Sequence, residues 1–197
     1  MNIKISILSI VISILLIGTC GCNDLKSNNE SNNEKYGPDI SLISIPLTLI
    51  ALNESEVENL EKIGEDYYDE PYTANNLTGN NITWHVKEGY FATFAGNTSR
   101  LLESIIKFES KEKAIHNLDL YEPYLLMNDF NEESVRNIGN KSFLLKGNYT
   151  LHGNKTDIFL LSFSISNVVV SLKCFGSDQL QIIHYAEIIE NKITDTF

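Results

Sequence analysis

Two apolar segments separated by only two polar residues constrain the fold of this chain more than any other feature. Residues 158–165 and 168–175 are both strongly apolar, and Ser166-Asn167 stands between them. Such runs are typical of buried β-strands, and a two-residue connection is typical of a tight hairpin. Alternation predicts that Phe159, Leu161, Phe163 and Ile165 share one face. Across the turn, Val168, Val170, Leu172 and Cys174 share another. The opposite face of the second strand then carries Val169, Ser171 and Lys173.

The chain from residue 40 onward predicts further strands. These are residues 40–52, 83–95, 101–108 and 139–146. Pro46 interrupts the first of them, which indicates a short edge strand because proline cannot donate to a sheet ladder.

Three helices are predicted between and after these strands. They are residues 53–63, 111–126 and 178–192. Asn53 with Glu56 has the pattern of a capping box, and Gly64 is placed to end the first helix. The apolar stripes of the other two are Ala114, Leu118, Tyr121 and Leu125, and Ile182, Ala186, Ile189 and Ile193. Since hairpins dominate, we predict an α+β fold. Its largely antiparallel sheet has about five to six strands, with two to three helices packed on one face.

Composition and charge narrow the classes of function. Hydrophobic residues make up 43% of the 197 and charged residues 21%, as in a globular protein. Lys and Arg number 15 against 26 Asp and Glu, a net charge of −11. An acidic surface repels nucleic-acid phosphates, so we predict no nucleic-acid partner. We also predict no cofactor.

The amino terminus has the organisation of an export signal. Lys4 is followed by an apolar run, 5–18, which is shorter than the roughly 20 residues of a membrane-spanning helix. We predict that residues 1–21 are a signal peptide. Residues 22–39 are polar and of low complexity, and are predicted to form a flexible tether. Residues 40–197 are predicted to form a single α+β domain.

Small residues before a cysteine at the end of this run resemble the lipobox of prokaryotic lipoproteins. The resemblance implies that the cysteine sulfur receives a diacylglycerol group and that the cysteine becomes the new amino terminus. Cys22 follows Gly21, which fits the small-residue position; Cys20 has the aliphatic Ile17 three residues before it, and is the alternative. Two acyl chains suffice for stable membrane attachment. Cleavage without lipidation and an uncleaved anchor helix are the other interpretations.

Asn-x-Ser/Thr acceptors for N-glycosylation occur more often than random placement predicts. They are Asn29, Asn53, Asn76, Asn81, Asn97, Asn140, Asn148 and Asn154. The excess indicates an extracytoplasmic chain. Together with the lipobox, these acceptors resemble an archaeal-type cell-surface lipoprotein. The order of strands and helices loosely resembles small PsbP- or Mog1-like α+β domains, and no motif accompanies that likeness.

Residues with catalytic or metal-binding chemistry are scattered. The chain has no G-x-S-x-G, H-E-x-x-H, Walker or C-x-x-C motif. Its histidines are His85, His116, His152 and His184, without ligand spacing, so we predict no metal site. Cys174 is predicted to be buried and inert.

An acidic, tyrosine-rich stretch is the most conspicuous candidate for a surface contact. We predict a loop here, with an interaction cluster of Asp66, Tyr67, Tyr68, Asp69 and Glu70. Tyrosines often anchor interfaces, and carboxylates can hold a hard cation, but the spacing is not that of an EF-hand. A solvated acidic loop is the simpler interpretation.

These features predict a membrane-anchored extracytoplasmic lipoprotein without enzymatic activity. It would bind an unknown envelope protein or small ligand at the outer face of the cell membrane. Two alternatives stay open: a small extracytoplasmic hydrolase without a recognisable motif, and a solute-binding lipoprotein. A pocket with Ser, Asp or Glu in hydrogen-bond reach of a histidine would favour the hydrolase.

Overall fold

A seven-stranded antiparallel sheet forms the centre of the part of the chain that the structure describes. The computed structural model describes residues 42–68, 86–126, 130–151 and 154–196. The strands are β1 (Glu61–Tyr68), β2 (Val86–Ala95), β3 (Arg100–Phe108), β4 (Asn131–Glu133), β5 (Lys141–Leu151), β6 (Asn154–Ile165) and β7 (Val168–Phe175). Their order across the sheet is β1-β2-β3-β7-β6-β5-β4. The α+β class is confirmed, but the sheet is larger than the predicted five to six strands.

The hairpin predicted from the two apolar segments lies in the middle of this sheet. Ile165 pairs with Val168, and the ladder continues to Ile158 opposite Phe175. Ser166, the first turn residue, has a φ of 51°, in the left-handed region that such tight turns use. The prediction of the hairpin is therefore confirmed.

The two edge strands are absent from the sequence predictions. β1 replaces the end of the predicted first helix and the start of the predicted loop, and Gly64 lies inside it rather than ending a helix. Its residues are mostly exposed, so they show no apolar alternation that would predict a strand. β4 has only three residues and leaves almost no sequence signal.

Two long helices agree with the predictions, and the short one does not. Helix α2 (Lys111–Leu126) and helix α3 (Gln179–Thr194) lie where their stripes predict them. The predicted helix 53–63 is reduced to a 3₁₀ turn, Glu54–Glu56, although Asn53 and Glu56 do form the capping box. No helix among the described residues is long and apolar enough to cross a bilayer.

Residues 42–52 form a strap across one face of the sheet, not the predicted edge strand. Pro46 begins one helical turn, α1 (Leu47–Ile50), because proline suits the start of a helix better than a ladder. The apolar residues that suggested a strand are buried instead beneath the strap: Ile43, Leu47, Ile50, Ala51 and Leu52. The strap is thus part of the core.

The helices pack on both faces of the sheet, which corrects the prediction of one face. Helix α3 shares a buried cluster with alternating β6 and β7 residues and with the strap; we call this side the α3 face. Lys141 pairs with Ser164 on the other side of the sheet and forms ion pairs with Asp119 (2.7 Å) and Glu122 (3.5 Å) of helix α2. Helix α2 therefore covers the opposite side, the α2 face. On this face β6 and β7 carry buried apolar residues, Ile158, Leu160 and Val169, together with the buried serines Ser162 and Ser164.

Candidate functional site

Helix α2 covers only one half of the α2 face of the sheet, the half near the turn between β6 and β7. Under the helix, Ser162, Ser164 and Val169 are buried. Toward the far end of β7 the same face stays partly accessible. We define the open face by the accessible side chains on this half of the sheet, which come from β1, β2, β3, β5 and β7: Tyr68, Phe91, Arg100, Leu102, Tyr149, Lys173 and Phe175.

Strand alternation accounts for this composition. In β7, Leu172 and Cys174 point into the core on the α3 face, so Lys173 and Phe175 point to the α2 face. The register of β3 with β7 brings Leu102 opposite Lys173 and Arg100 opposite Phe175. Strand alternation alone predicts that Lys173 lies on the face opposite Leu172 and Cys174, whereas its neighbours on this face follow from the register of β3 with β7.

Aromatic rings make up much of the open face. Tyr149 meets Phe175 edge-on with ring centroids 5.9 Å apart, and Tyr68 meets Phe91 edge-on at 5.8 Å. Tyr149 is 45% exposed and Tyr68 38% exposed. Aromatic side chains with partly open faces offer large apolar contact areas to a ligand.

Lys173 stands in the middle of this apolar surface. Its Nζ lies 5.2 Å from the centroid of the Phe175 ring, a cation–π contact. No acidic side chain of the described residues forms an ion pair with it. Burial lowers the pKa of Lys173, and no carboxylate opposes that effect. An uncompensated cation here is costly unless something anionic joins it.

Arg100 provides a second positive charge beside it. It is exposed, and within the described ranges no ion pair is formed by its guanidinium. Arg100 and Lys173 are diagonal neighbours across β3 and β7, a relation that puts Cβ atoms roughly 7–8 Å apart. Two long basic side chains at that separation can reach one shared anion. In a chain of net charge −11 this pairing of cations is unusual.

A shallow cleft of about 380 Å³ lies at the start of helix α3. It is lined by Glu58, Asp178, Leu180, Gln181, His184 and Tyr185. Three of its polar side chains take part in hydrogen bonds within the helix: Asp178 accepts the Gln181 N–H at 2.8 Å, and Gln181 Nε2 donates to the Tyr185 hydroxyl at 2.8 Å.

The cleft also contains the one histidine that could serve a hydrolase there. The His184 ring lies 6.2 Å from the Tyr185 ring, centroid to centroid. In the described part of the chain, no Ser, Asp or Glu hydrogen-bonds to its imidazole. The geometry thus supplies no oriented acid–base pair at His184.

Lys62, Glu65 and Tyr90 form a polar cluster on the α3 face near the sheet edge. Lys62 Nζ lies 3.0 Å from Glu65 Oε2 and 3.1 Å from the Tyr90 hydroxyl, which donates to Glu65 at 3.0 Å. Hydrogen bonds from Lys62 and Tyr90 lower the pKa of Glu65. These three groups satisfy one another, which is typical of a structural network.

Buried polar side chains hold the strap to the sheet. Asn167 Oδ1 accepts the Ile43 N–H at 2.7 Å, and Lys107 Nζ donates to the Ile45 carbonyl at 2.9 Å. Further along, Glu103 Oε1 accepts the Leu52 N–H at 2.9 Å. The strap is therefore fixed to the sheet at both ends.

Glu103 is the buried acid of this group. Its second oxygen, Oε2, is buried without a hydrogen-bond partner. Burial raises its pKa to about 8, opposed by the Leu52 N–H and the positive charge of Lys192. Lys192 is nearby but donates to the Ala51 carbonyl and to Glu56, both at 2.6 Å.

The predicted contact loop is partly a strand. Asp66, Tyr67 and Tyr68 lie in β1, with Tyr67 opposite Tyr90 on the α3 face and Tyr68 opposite Gly89 on the α2 face. Asp69 and Glu70 lie outside the described residues. The cluster is therefore divided between the two faces of the sheet, and only Tyr68 contributes to the open face.

The predicted modification sites lie in different environments. Cys20, Cys22, Asn29, Asn76 and Asn81 lie outside the described residues. Asn53, Asn97 and Asn148 are exposed, and Asn154 is the first residue of β6. Asn140 is only 6% exposed, and its Oδ1 accepts the Ser166 N–H at 2.7 Å. A glycan on Asn140 would have to displace this contact.

The remaining reactive side chains do not converge. His85 and His152 lie outside the described residues, while His116 and His184 are exposed on different helices. Within the described ranges, no group of three or more His, Cys, Asp or Glu could hold a metal ion. Cys174 is buried as predicted, and burial raises the pKa of its thiol to about 12. It packs as a small apolar residue.

The fold and the open face define a mixed α+β domain with a solvent-accessible sheet surface. No protein-family model and no curated protein matches the sequence. Among solved structures, the chain is similar to the extracellular domain of PknH from Mycobacterium tuberculosis. That likeness covers 75% of this chain and 94% of the other, with a TM-score of 0.51 and 11% sequence identity. At this identity it concerns the fold alone.

Proposed function

We propose that this chain is an extracytoplasmic, non-enzymatic binding module, held at the membrane by a lipid on Cys22, and that the open face is its binding surface. One observation carries the binding role: Lys173 and Arg100 lie side by side on an accessible aromatic surface without an acidic partner in the described ranges. A cation left half-buried and unpaired favours a site that is completed by a partner.

The location outside the cytoplasm is supported by separate features. The lipobox-like amino terminus, with Cys20 as the alternative to Cys22, and the excess of glycosylation acceptors both favour export. Three acceptors, Asn53, Asn97 and Asn148, are exposed. The similarity of fold to an extracellular domain is compatible with this location. The archaeal-type origin and the PsbP- or Mog1-like relationship stay predictions.

The location is tested by intact mass and amino-terminal peptide mapping of the protein extracted from its native membranes. We expect a chain that starts at Cys22 and carries two acyl chains, with glycans at exposed acceptors and none at Asn140. An unmodified chain that starts at Met1 and is recovered in the soluble fraction would contradict the proposal.

Occupancy of the open face is tested by mild acetylation of lysines on intact cells and on the purified full chain. Lys173 should react more slowly on cells, where a partner covers it, than in the purified chain. Lys155, exposed on β6, is the matched control and should react equally in both. If the ratio of Lys173 to Lys155 acetylation is the same in both preparations, the open face has no partner on cells and the proposed binding role is wrong.

A further inference from the structure

We infer that the open face binds a small organic acid, with the carboxylate held between Lys173 and Arg100 and an apolar body lying on the aromatic surface. The inference rests on the proposed function, because it names the ligand class of the same site. It follows from three features considered in turn: the placement of the two cations, the size and chemistry of the surface around them, and the shortage of acids nearby.

The two cations can bind a single carboxylate. Lys173 offers an ammonium that the Phe175 ring already orients at 5.2 Å. Arg100, which pairs directly with Phe175 across the strands, offers a planar guanidinium that can hold both carboxylate oxygens. The carboxylate would sit above the Phe175 ring edge, where both side chains reach.

The surroundings of the cations are apolar. Leu102 lies opposite Lys173, and Phe91 and Tyr149 lie on the strands to either side. Strands β2, β3 and β7 alone span roughly 10 Å at the usual spacing of about 4.8 Å. That area accommodates a ring or a short alkyl chain lying flat, and its burial would supply affinity that the ion pair alone would not.

No acidic side chain among the described residues supplies the carboxylate that would pair with Lys173 and Arg100. On this face β1 carries Asp66, which pairs with Phe91 of β2. β1 is three strands from β7, so Asp66 is roughly 14 Å from the Lys173 strand. Within the described residues, therefore, no acidic side chain of this face lies beside Lys173.

A monoanion fits this site better than a phosphate or a membrane surface. Transferring a doubly charged phosphate to an apolar surface costs more than transferring a carboxylate. Lys173 is half-buried within the sheet rather than projecting from a tip, so a flat lipid surface would not reach it easily. The net charge of −11 also opposes approach to anionic lipid.

The experiment uses 4-phenylbutyrate as the probe, titrated calorimetrically into the full chain held in an amphipathic polymer in place of detergent. Its neutral isostere, 4-phenylbutanamide, tests the charge, and acetate tests the apolar body. We expect the acid to bind at least tenfold more tightly than the amide, and acetate to show no measurable binding. Equal affinity for acid and amide, or no binding of the acid, would overturn the inference.

Variants separate the roles of the two cations. Lys173→Met should weaken binding of the acid at least tenfold and leave binding of the amide unchanged, and Arg100→Gln should weaken binding of the acid by a smaller factor. Lys155→Met removes the same charge from an exposed position and should bind the acid like the unaltered chain. An unchanged affinity in Lys173→Met would overturn the inference. Urea unfolding of each variant shows that a loss of binding is not a loss of fold.

Two further outcomes show whether the carboxylate inference fails alone or together with the proposed binding role. Suppose Lys173 is protected on cells but 4-phenylbutyrate does not bind: the binding role stands and the carboxylate inference is wrong. The second outcome is binding of the chain to phosphatidylglycerol vesicles that Lys173→Met abolishes and that 4-phenylbutyrate does not affect. The open face would then bind lipid, and the carboxylate inference would also be wrong. Loss of protection on cells together with failure of the titration would overturn both.

Discussion

Lys107 and Lys173 lie on neighbouring strands of the same sheet, and they have opposite surroundings. On the α3 face, Lys107 is almost fully buried and its ammonium donates to Glu88 at 2.7 Å and to the Ile45 carbonyl at 2.9 Å. On the α2 face, Lys173 has only the Phe175 ring as a described contact. The ammonium of Lys107 therefore has an ion-pair partner and a hydrogen-bond acceptor within the fold, whereas that of Lys173 has neither among the described residues.

The comparison shows that the positive charge of Lys107 stabilises the fold, whereas the positive charge of Lys173 is not paired by the described residues and can interact with a ligand. A buried ion pair that loses one member is strongly destabilised, whereas an unpaired half-buried charge can be replaced at little cost or with a gain. Replacing Lys107 should therefore lower the stability of the domain, and replacing Lys173 should raise it. Three predictions test this contrast, from the largest expected effect to the smallest.

Glu103 should give the largest effect, because it is buried on the α3 face and its Oε2 has no hydrogen-bond partner. Its pKa in the folded chain is raised to about 8 from 4.5, so the protonated form is the one that stabilises the fold. That contribution is complete below pH 4.5 and is lost as the pH rises to 8, at roughly 1.4 kcal/mol per pH unit. Glu103→Gln should remove this slope and be more stable than the unaltered chain at pH 9, by roughly 4 kcal/mol.

Urea unfolding at pH 5, 7 and 9 measures this effect. Glu61→Gln, an exposed change on β1, is the control and should follow the unaltered chain at each pH. Parallel pH profiles for Glu103→Gln and the unaltered chain would show that the buried carboxyl is not protonated in the folded state.

Lys107→Met should destabilise the domain by about 3 kcal/mol, since it leaves the Ile45 carbonyl and Glu88 without their donor. The comparison variant is Lys87→Met, at an exposed position of β2, with an expected change within about 0.5 kcal/mol. Thermal and urea unfolding at pH 7 report both. A Lys107→Met chain as stable as Lys87→Met would end the contrast between the two faces.

Lys173→Met should stabilise the ligand-free domain by about 1 kcal/mol at pH 7, because it removes an uncompensated charge. Burial lowers the pKa of Lys173 in the folded chain, so the unaltered protein regains stability as the pH rises through that pKa toward 10.5. The advantage of the variant should therefore shrink between neutral pH and pH 10.5. A destabilised Lys173→Met would mean that Lys173 has an anionic partner in the chain itself.

Local patterns predicted the elements whose burial is periodic. The β6–β7 hairpin and helices α2 and α3 have clear apolar stripes, and all three lie where the sequence predicts them. The prediction of an edge strand at residues 40–52 is wrong because a contiguous apolar run with one proline fits an edge strand as well as it fits a buried strap. β1 was missed because an edge strand with exposed charges has no apolar period. The side of the sheet that each helix covers depends on long-range packing, which no local pattern contains.

The open face was predictable only at one residue. Alternation in β7 puts Lys173 opposite Leu172, and a lysine inside the most apolar hairpin of the chain was a signal that could have been followed. Arg100, Tyr149 and Phe91 join it through strand register, and register between β3 and β7 links segments about 70 residues apart. Such pairing is set by the whole sheet, so sequence inspection could not assemble the site.

The strap also determines how the domain responds to mechanical force. The Ile43 N–H of the strap donates to Asn167 Oδ1 at the turn of the central hairpin. A force applied to the chain at Ile43 would therefore act on the turn between β6 and β7, in the middle of the sheet, rather than on an edge strand. If the proposed lipid anchor holds the domain, the strap would carry that force into contacts that the buried core supports.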